Sequence, residues 1–237
     1  MEAIPPKMQV KKSIHWFRQD LRIKDNPSLE EASKAGTLIP IYILDDVNSG
    51  EFSIGSASRW WLHESLKKLN ASLDGKLLTF KGNPSEVFEQ LIQQHEISYI
   101  SWNRCYEPWR ISRDKVIKKE LEDKGIITES FCGSLLWEPW NISKDDGTPY
   151  RVFTPFYKKG CLNYDEPRLP AEDYKISNLY TDYIESDSLD DLNLMPEIDW
   201  YKGFEKEWNP GEQGAEDNLD KFLEQGLLNY KEGRNFP

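Results

Sequence analysis

Ile14-His15-Trp16-Phe17-Arg18-Gln19-Asp20-Leu21-Arg22-Ile23-Lys24-Asp25-Asn26-Pro27-Ser28-Leu29 runs from an apolar strand through a charged loop into a capped helix. Residues 13–17 read as a short strand. Residues 27–35 read as a helix with Asn26 as its cap and Pro27 at its first position. In an open α/β sheet, the loop leaving a strand's carboxyl end lies on the face where ligands bind. Arg18, Asp20, Arg22, Lys24 and Asp25 are more charges than a plain connector needs, so the loop is expected to organise a site or a domain interface. A solvated polar turn is the plain alternative. Mixed signs at short spacing favour an ion-pair network among Arg18, Asp20, Arg22 and Asp25 over ligand contact. His15, set inside the apolar strand, is expected to be a hydrogen-bonded core residue.

Downstream, residues 37–44 (Thr-Leu-Ile-Pro-Ile-Tyr-Ile-Leu) form the nearly all-apolar run of a central parallel strand, although Pro40 weakens that reading. Ser56 is expected to cap a helix over 56–73, with Trp60, Leu62, Leu66, Leu69 and Leu73 at helical spacing. Further strands are expected at 76–80, 97–102 and 126–131, and helices at 84–95 and 111–124. Repeated β–α alternation with connections too long for hairpins means right-handed crossovers and a parallel, doubly wound, Rossmann-like sheet. After Phe131 the pattern breaks. Residues 136–210 read as an irregular interdomain connector wrapped over protein surface, with one helical candidate at 155–161. Helical periodicity returns over 213–231, with Ala215, Leu219, Phe222, Leu223, Leu227 and Tyr230 along one side.

The chain has 237 residues, 38% of them hydrophobic, and a net charge of −11. Its mean hydropathy is −0.71 and its pI about 4.9. Such acidity argues against a general nucleic-acid surface, because phosphate contact needs basic side chains. The imbalance peaks between Thr181 and Asp220, where 13 Asp and Glu face two lysines. No apolar run approaches the length of a membrane span, and residues 1–6 lack a signal-peptide core, so no membrane partner and a cytoplasmic location are expected. Cys105, Cys132 and Cys161 are odd in number and widely spaced, and only three histidines are present, so neither a metal site nor a disulfide framework is expected. Most of the nine tryptophans are expected to supply core area. No nucleophile–base pair, glycine-rich phosphate loop or catalytic carboxylate pair is visible, so no residue is assigned a catalytic role.

Four blocks carry a family resemblance. Trp16-Phe17-Arg18-Gln19-Asp20-Leu21-Arg22 with Asp25-Asn26 resembles the opening signature of the photolyase/cryptochrome family. Trp102-Asn103-Arg104-Cys105-Tyr106-Glu107-Pro108-Trp109, followed by Arg113-Asp114, is similar to the family's Asn-x-x-Tyr-Glu-Pro segment. Arg151-Val152-Phe153-Thr154-Pro155-Phe156 looks like its connector motif. Tyr230-Lys231-Glu232-Gly233-Arg234-Asn235-Phe236-Pro237 resembles the segment that opens the flavin domain. All four lie in the family's order and spacing, and together are far more specific than a lone glycine motif.

The resemblance implies strand order 3-2-1-4-5, an α/β domain over 12–135, the connector over 136–210, and the first helix of a truncated FAD-binding helical domain over 211–237. It implies the N-terminal portion of a light-dependent photolyase, in which reduced FAD splits a flipped-out pyrimidine dimer in damaged DNA. A cryptochrome-type photoreceptor fragment and a stand-alone pigment- or nucleotide-binding module are the alternatives. Within the resemblance, Tyr230 matches a position that touches FAD and Arg234 one near the DNA backbone. The remaining flavin-pocket motifs would follow Pro237, so this chain by itself is expected to be inactive; a separate chain could supply the FAD domain. Where folate-using relatives place an antenna-contacting Asn-Glu pair, this sequence has Trp109 and Arg110. An indole can stack on methenyltetrahydrofolate or 8-hydroxy-deazaflavin, and an arginine can hold an anionic tail. Interdomain packing is the competing role for Trp109.

Overall fold

A computed structural model of the chain describes residues 12–171 and 175–235. The readings placed on residues 1–6, Phe236 and Pro237 lie outside them.

Five strands, β1 (Lys12–Phe17), β2 (Thr37–Leu44), β3 (Leu78–Lys81), β4 (Ile97–Asn103) and β5 (Ile127–Phe131), form one sheet in the order β3-β2-β1-β4-β5. Every pairing is parallel. The helices α1 (Pro27–Ala35), α2 (Ser56–Ser72), α3 (Pro84–Gln94) and α4 (Pro108–Asp123) cover both faces. Alternation along β1 divides the core. Ile14 and Trp16 join Phe88 and Leu91 of α3 and Ile117 and Leu121 of α4 on one side. Phe17 joins Leu29 of α1 and Leu62, Leu66 and Leu69 of α2 on the other.

Local chemistry explains the element ends. Asn26 caps α1 by accepting the Leu29 N–H at 3.1 Å, and Pro27 occupies the first turn. The residue expected to cap α2, Ser56, is instead its first helical residue. Gly55 holds the cap position and makes no side-chain cap bond. β3 begins at Leu78 rather than at 76, because Lys76 and Leu77 are drawn back onto the end of α2 by bonds to the Leu73 carbonyl and the Asn70 side chain. α4 begins three residues earlier than periodicity suggested, with Pro108 in its first turn, where a missing N–H costs nothing.

Pro40 fits a central strand for a specific reason. Leu38 hydrogen-bonds outward to Asn178 and Tyr180 of the connector, and alternate residues of a strand point their amides to the same edge. Position 40 therefore faces that edge, between the connector bridge at Leu38 and β3, which starts opposite Ile41. The proline sits where no ladder partner waits for its missing donor.

The segment after β5 is less superficial than its composition suggests. A helical turn (Phe153–Pro155), a wider turn (Phe156–Gly160) and a 3-10 turn (Cys161–Asn163) occupy the expected helical candidate. The chain then returns to the sheet. Tyr180 and Ile184 enter one core cluster, and Leu192 and Leu194 the other. The stretch expected as one helix over 213–231 runs continuously through Glu212–Lys221 and a wide turn Phe222–Gly226, is interrupted at 227–229, and resumes as a short turn Tyr230–Gly233. At the wide turn Leu227 N–H reaches the Phe222 carbonyl at 2.8 Å, and the Phe222 ring lies where a Gly226 side chain would stand.

Candidate functional site

A cleft of about 690 Å³ opens at the carboxyl ends of β1 and β2. Trp16 and Arg18 from the end of β1 and Tyr42 from β2 contribute to its floor. Trp109, Arg110 and Arg113 of α4 form one side, Trp61 of α2 stands on another, and the C-terminal helix Glu212–Lys221 supplies the outer wall. This is the carboxyl-end face of the sheet, on which open α/β sheets bind ligands, with α4 after β4 closing it from the side of the β1/β4 switch point.

The α4 side alternates guanidinium groups and indoles. Arg113 Cζ lies 4.9 Å from the Trp16 ring centroid and 5.1 Å from that of Trp109. Arg110 Cζ lies 4.9 Å from the Trp109 ring, and Arg18 Cζ 5.0 Å from Trp16. Two of these arginines are held by carboxylates. Arg113 donates to Asp45 at 2.8 Å and to Asp114, while Arg18 donates to Asp114 and to the Asn103 carbonyl. Arg110 is held more loosely: its Nη1 donates to Cys105 Sγ at 3.4 Å, and its Nε lies 3.7 Å from Glu107. Burial pushes the Tyr42 phenol well above its ordinary range, so it stays a neutral hydroxyl. The cleft thus offers the exposed Trp61 and half-buried Trp109 indoles, a loosely paired guanidinium and a neutral hydroxyl. That set suits a flat, partly anionic ring system.

The charged loop frames this cleft, but mostly through distant partners. Within it, Arg22 and Asp25 pair at 3.7 Å. Asp20 accepts the Arg18 N–H at 3.0 Å and the amides of Asn26 and Asn103. Arg22 Nη2 donates to the Gly133 carbonyl at 2.7 Å. Asp25, with φ at +47°, accepts from Arg168 at 2.6 Å and from the Ala171 N–H at 2.9 Å. Partial burial works to raise the Asp25 carboxyl, but these bonds and the two arginines hold it below its usual value. The loop is therefore a brace between β1, β4 and the connector. His15 is wholly buried and shares a 3.0 Å hydrogen bond with Ser28. Burial lowers its pKa to about 4, with Asp20 opposing and Arg18 assisting.

Trp109 and Arg110, named from sequence for an antenna, both line the cleft, and Trp109 is half-buried there. Tyr230 and Arg234 do not. Both are exposed near the end of the described chain, with Arg234 Cζ 5.9 Å from the Tyr230 ring. The described residues therefore bring Tyr230 and Arg234 together with each other but not with the cleft. Sequence reasoning missed Asp45, Trp61, Arg113 and Glu212 as cleft residues. Asp45 had a usable signal, since it directly follows an apolar strand on the ligand-facing side; the other three depend on helix rotation and long-range folding. Among the described residues, no cluster of His, Cys, Asp and Glu could hold a metal ion, and no helix is long and apolar enough to cross a membrane.

The sheet order and the cleft at the strands' carboxyl ends define a doubly wound α/β domain of the photolyase type. The chain belongs to the DNA photolyase family, whose model matches residues 13–173. It is 39% identical over 229 residues to the deoxyribodipyrimidine photo-lyase of Agrobacterium fabrum, covering 94% of this chain and 47% of that protein. Cryptochrome-2 of Arabidopsis thaliana is 33% identical over 229 residues, covering 93% and 37%. Among solved structures, a bacterial class III photolyase from Agrobacterium tumefaciens superposes with a TM-score of 0.88 at 37% identity, over 99% of this chain and 49% of that one. The chain spans about half the length of these relatives or less.

Proposed function

We propose that this chain is the N-terminal portion of a light-dependent DNA photolyase, and that the cleft of its α/β domain holds a light-harvesting chromophore. The observation that carries the reading is the Trp109–Arg110–Arg113 face, which lines a cleft at the carboxyl ends of β1 and β2. A bound pterin or deazaflavin would supply near-ultraviolet and blue absorption. The protein's part is to stack the ring on Trp109, meet its anionic tail with Arg110 and exclude water beneath it. Arg113 and Arg18 are tied to carboxylates, so their role is to hold the indoles in place. Tyr230 and Arg234 remain solvent-facing, available to a flavin-bearing helical half and to damaged DNA.

A chimaera tests this function. Residues 12–235 of this chain are joined to the remaining half of the Agrobacterium photo-lyase. The expected result is light-dependent splitting of a thymine dimer in an oligonucleotide. A chimaera that folds and binds flavin but repairs nothing contradicts the repair reading and favours a cryptochrome-type photoreceptor.

A further inference from the structure

The outer wall of the cleft is not part of the sheet. It is the helix Glu212–Lys221, which turns Ala215 and Leu219 toward the opening. Both of those residues are exposed, and Gly214 is the helix's buried residue. Apolar packing therefore does little to hold this wall against the domain.

Polar contacts hold it instead. Glu212 Oε2 accepts the Ile23 N–H at 2.9 Å, and Oε1 accepts the Lys24 N–H at 2.8 Å. Lys24 Nζ donates to Glu216 at 2.7 Å, one turn further along. At the same end Gly211, with φ at +94°, lies so close to α2 that an added Cβ would stand 3.0 Å from Lys68 Cβ. Both oxygens of one carboxylate are thus engaged by consecutive amides of the β1–α1 loop. Leu21, Arg22 and Lys24 of that loop line the cleft beside the wall.

We propose that Glu212 is a positioning residue for the cleft ligand: its carboxylate fastens the helical wall to the β1–α1 loop and so governs how long the ligand stays bound. This inference rests on reading the cleft as a chromophore site. Backbone amides bonded to an ionised carboxylate are among the stronger hydrogen bonds, and two adjacent ones fix both distance and tilt. The exposed Lys24–Glu216 pair adds little by comparison, since surface ion pairs are weak. Swinging the wall away opens the side of the cleft facing Trp109 and Arg113, so losing the clamp speeds release more than it slows entry.

The test uses the full chain with methenyltetrahydrofolate and, separately, 8-hydroxy-deazaflavin as probes. Affinity and dissociation rate are measured for the wild type, Glu212→Ala, Glu212→Gln and the exposed control Asp217→Ala. Hydrogen exchange of the Ile23 and Lys24 amides is followed in parallel without ligand. Glu212→Ala is expected to weaken binding of the retained probe about tenfold, mainly through faster release, with faster exchange at both amides. Glu212→Gln keeps one acceptor and should fall between, while Asp217→Ala should match the wild type. Faster exchange with unchanged binding overturns the inference and leaves the chromophore reading standing. Unchanged exchange in Glu212→Ala shows that there is no clamp and overturns the inference directly. If the wild type binds neither probe, the chromophore reading falls and this inference with it.

Discussion

Arg113 shows how one side chain ties fold to site. Its guanidinium bonds Asp45 and Asp114 and lies against two indoles, and its side chain is 8% exposed beside an Asp45 side chain that is 4% exposed. Arg113→Ala would leave the Asp45 carboxylate without its guanidinium, held only by the Val47 and Asn48 amides. The expected loss is about 2 kcal/mol of stability, read from the shift in urea midpoint. His15 makes a different kind of statement. Its folded-state pKa of about 4 lies below the ordinary 6.5 because burial disfavours the cation. Between those values the unfolded chain takes up a proton that the folded chain refuses. Stability from this group is therefore complete above pH 6.5 and drains away as the pH falls toward 4. The loss should be on the order of 2 kcal/mol between about pH 7.5 and 5. Urea titrations at both pH values, on the wild type and on His15→Asn, should show that much less pH dependence in the variant. Equal dependence in the two would mean that His15 is not the group responsible.

At the level of elements, Asn26 is the hinge of the opening motif. It accepts the Leu29 N–H, donates to the Arg22 carbonyl at 3.0 Å and accepts from Asn103 at 2.7 Å, so one amide joins helix cap, loop and β4. Asn26→Ala is expected to cost about 2 kcal/mol in thermal or chemical unfolding, because cap and buried hydrogen bonds go together. A loss no larger than that of an exposed substitution would contradict this assignment. The α/β elements were legible because each depends on near neighbours: a proline in the first turn, an asparagine cap, an apolar run. The widening of the C-terminal helix at Phe222–Gly226 and its interruption at 227–229 were not. Periodicity continues through Phe222 and Leu227, whereas the wide turn depends on a ring lying over Gly226.

Across the whole molecule, legibility falls with sequence separation. The strand order, and the antenna candidates Trp109 and Arg110 that line the cleft, came from blocks of family resemblance read locally. The partners that give the charged loop its role did not, because Asp25 meets Arg168 at a separation of 143 residues and Ile23 meets Glu212 at 189. The C-terminal stretch also leaves Leu223 and Leu228 facing solvent, 49% and 90% exposed. Exposed leucines of this kind favour association. Sedimentation should show concentration-dependent self-association that Leu223→Glu with Leu228→Glu reduces; a wild type monomeric at all concentrations would contradict this.

The central claim is that the cleft beside Trp109 takes a light-harvesting chromophore, and an absorption titration reaches it most directly. The chain is titrated with methenyltetrahydrofolate and with 8-hydroxy-deazaflavin, as wild type and as Trp109→Ala. The account predicts saturable binding of one of them at one molecule per chain, with a shifted absorption band, and at least about tenfold weaker binding once the indole is removed. No binding of either compound, or binding that Trp109→Ala leaves unchanged, would contradict it.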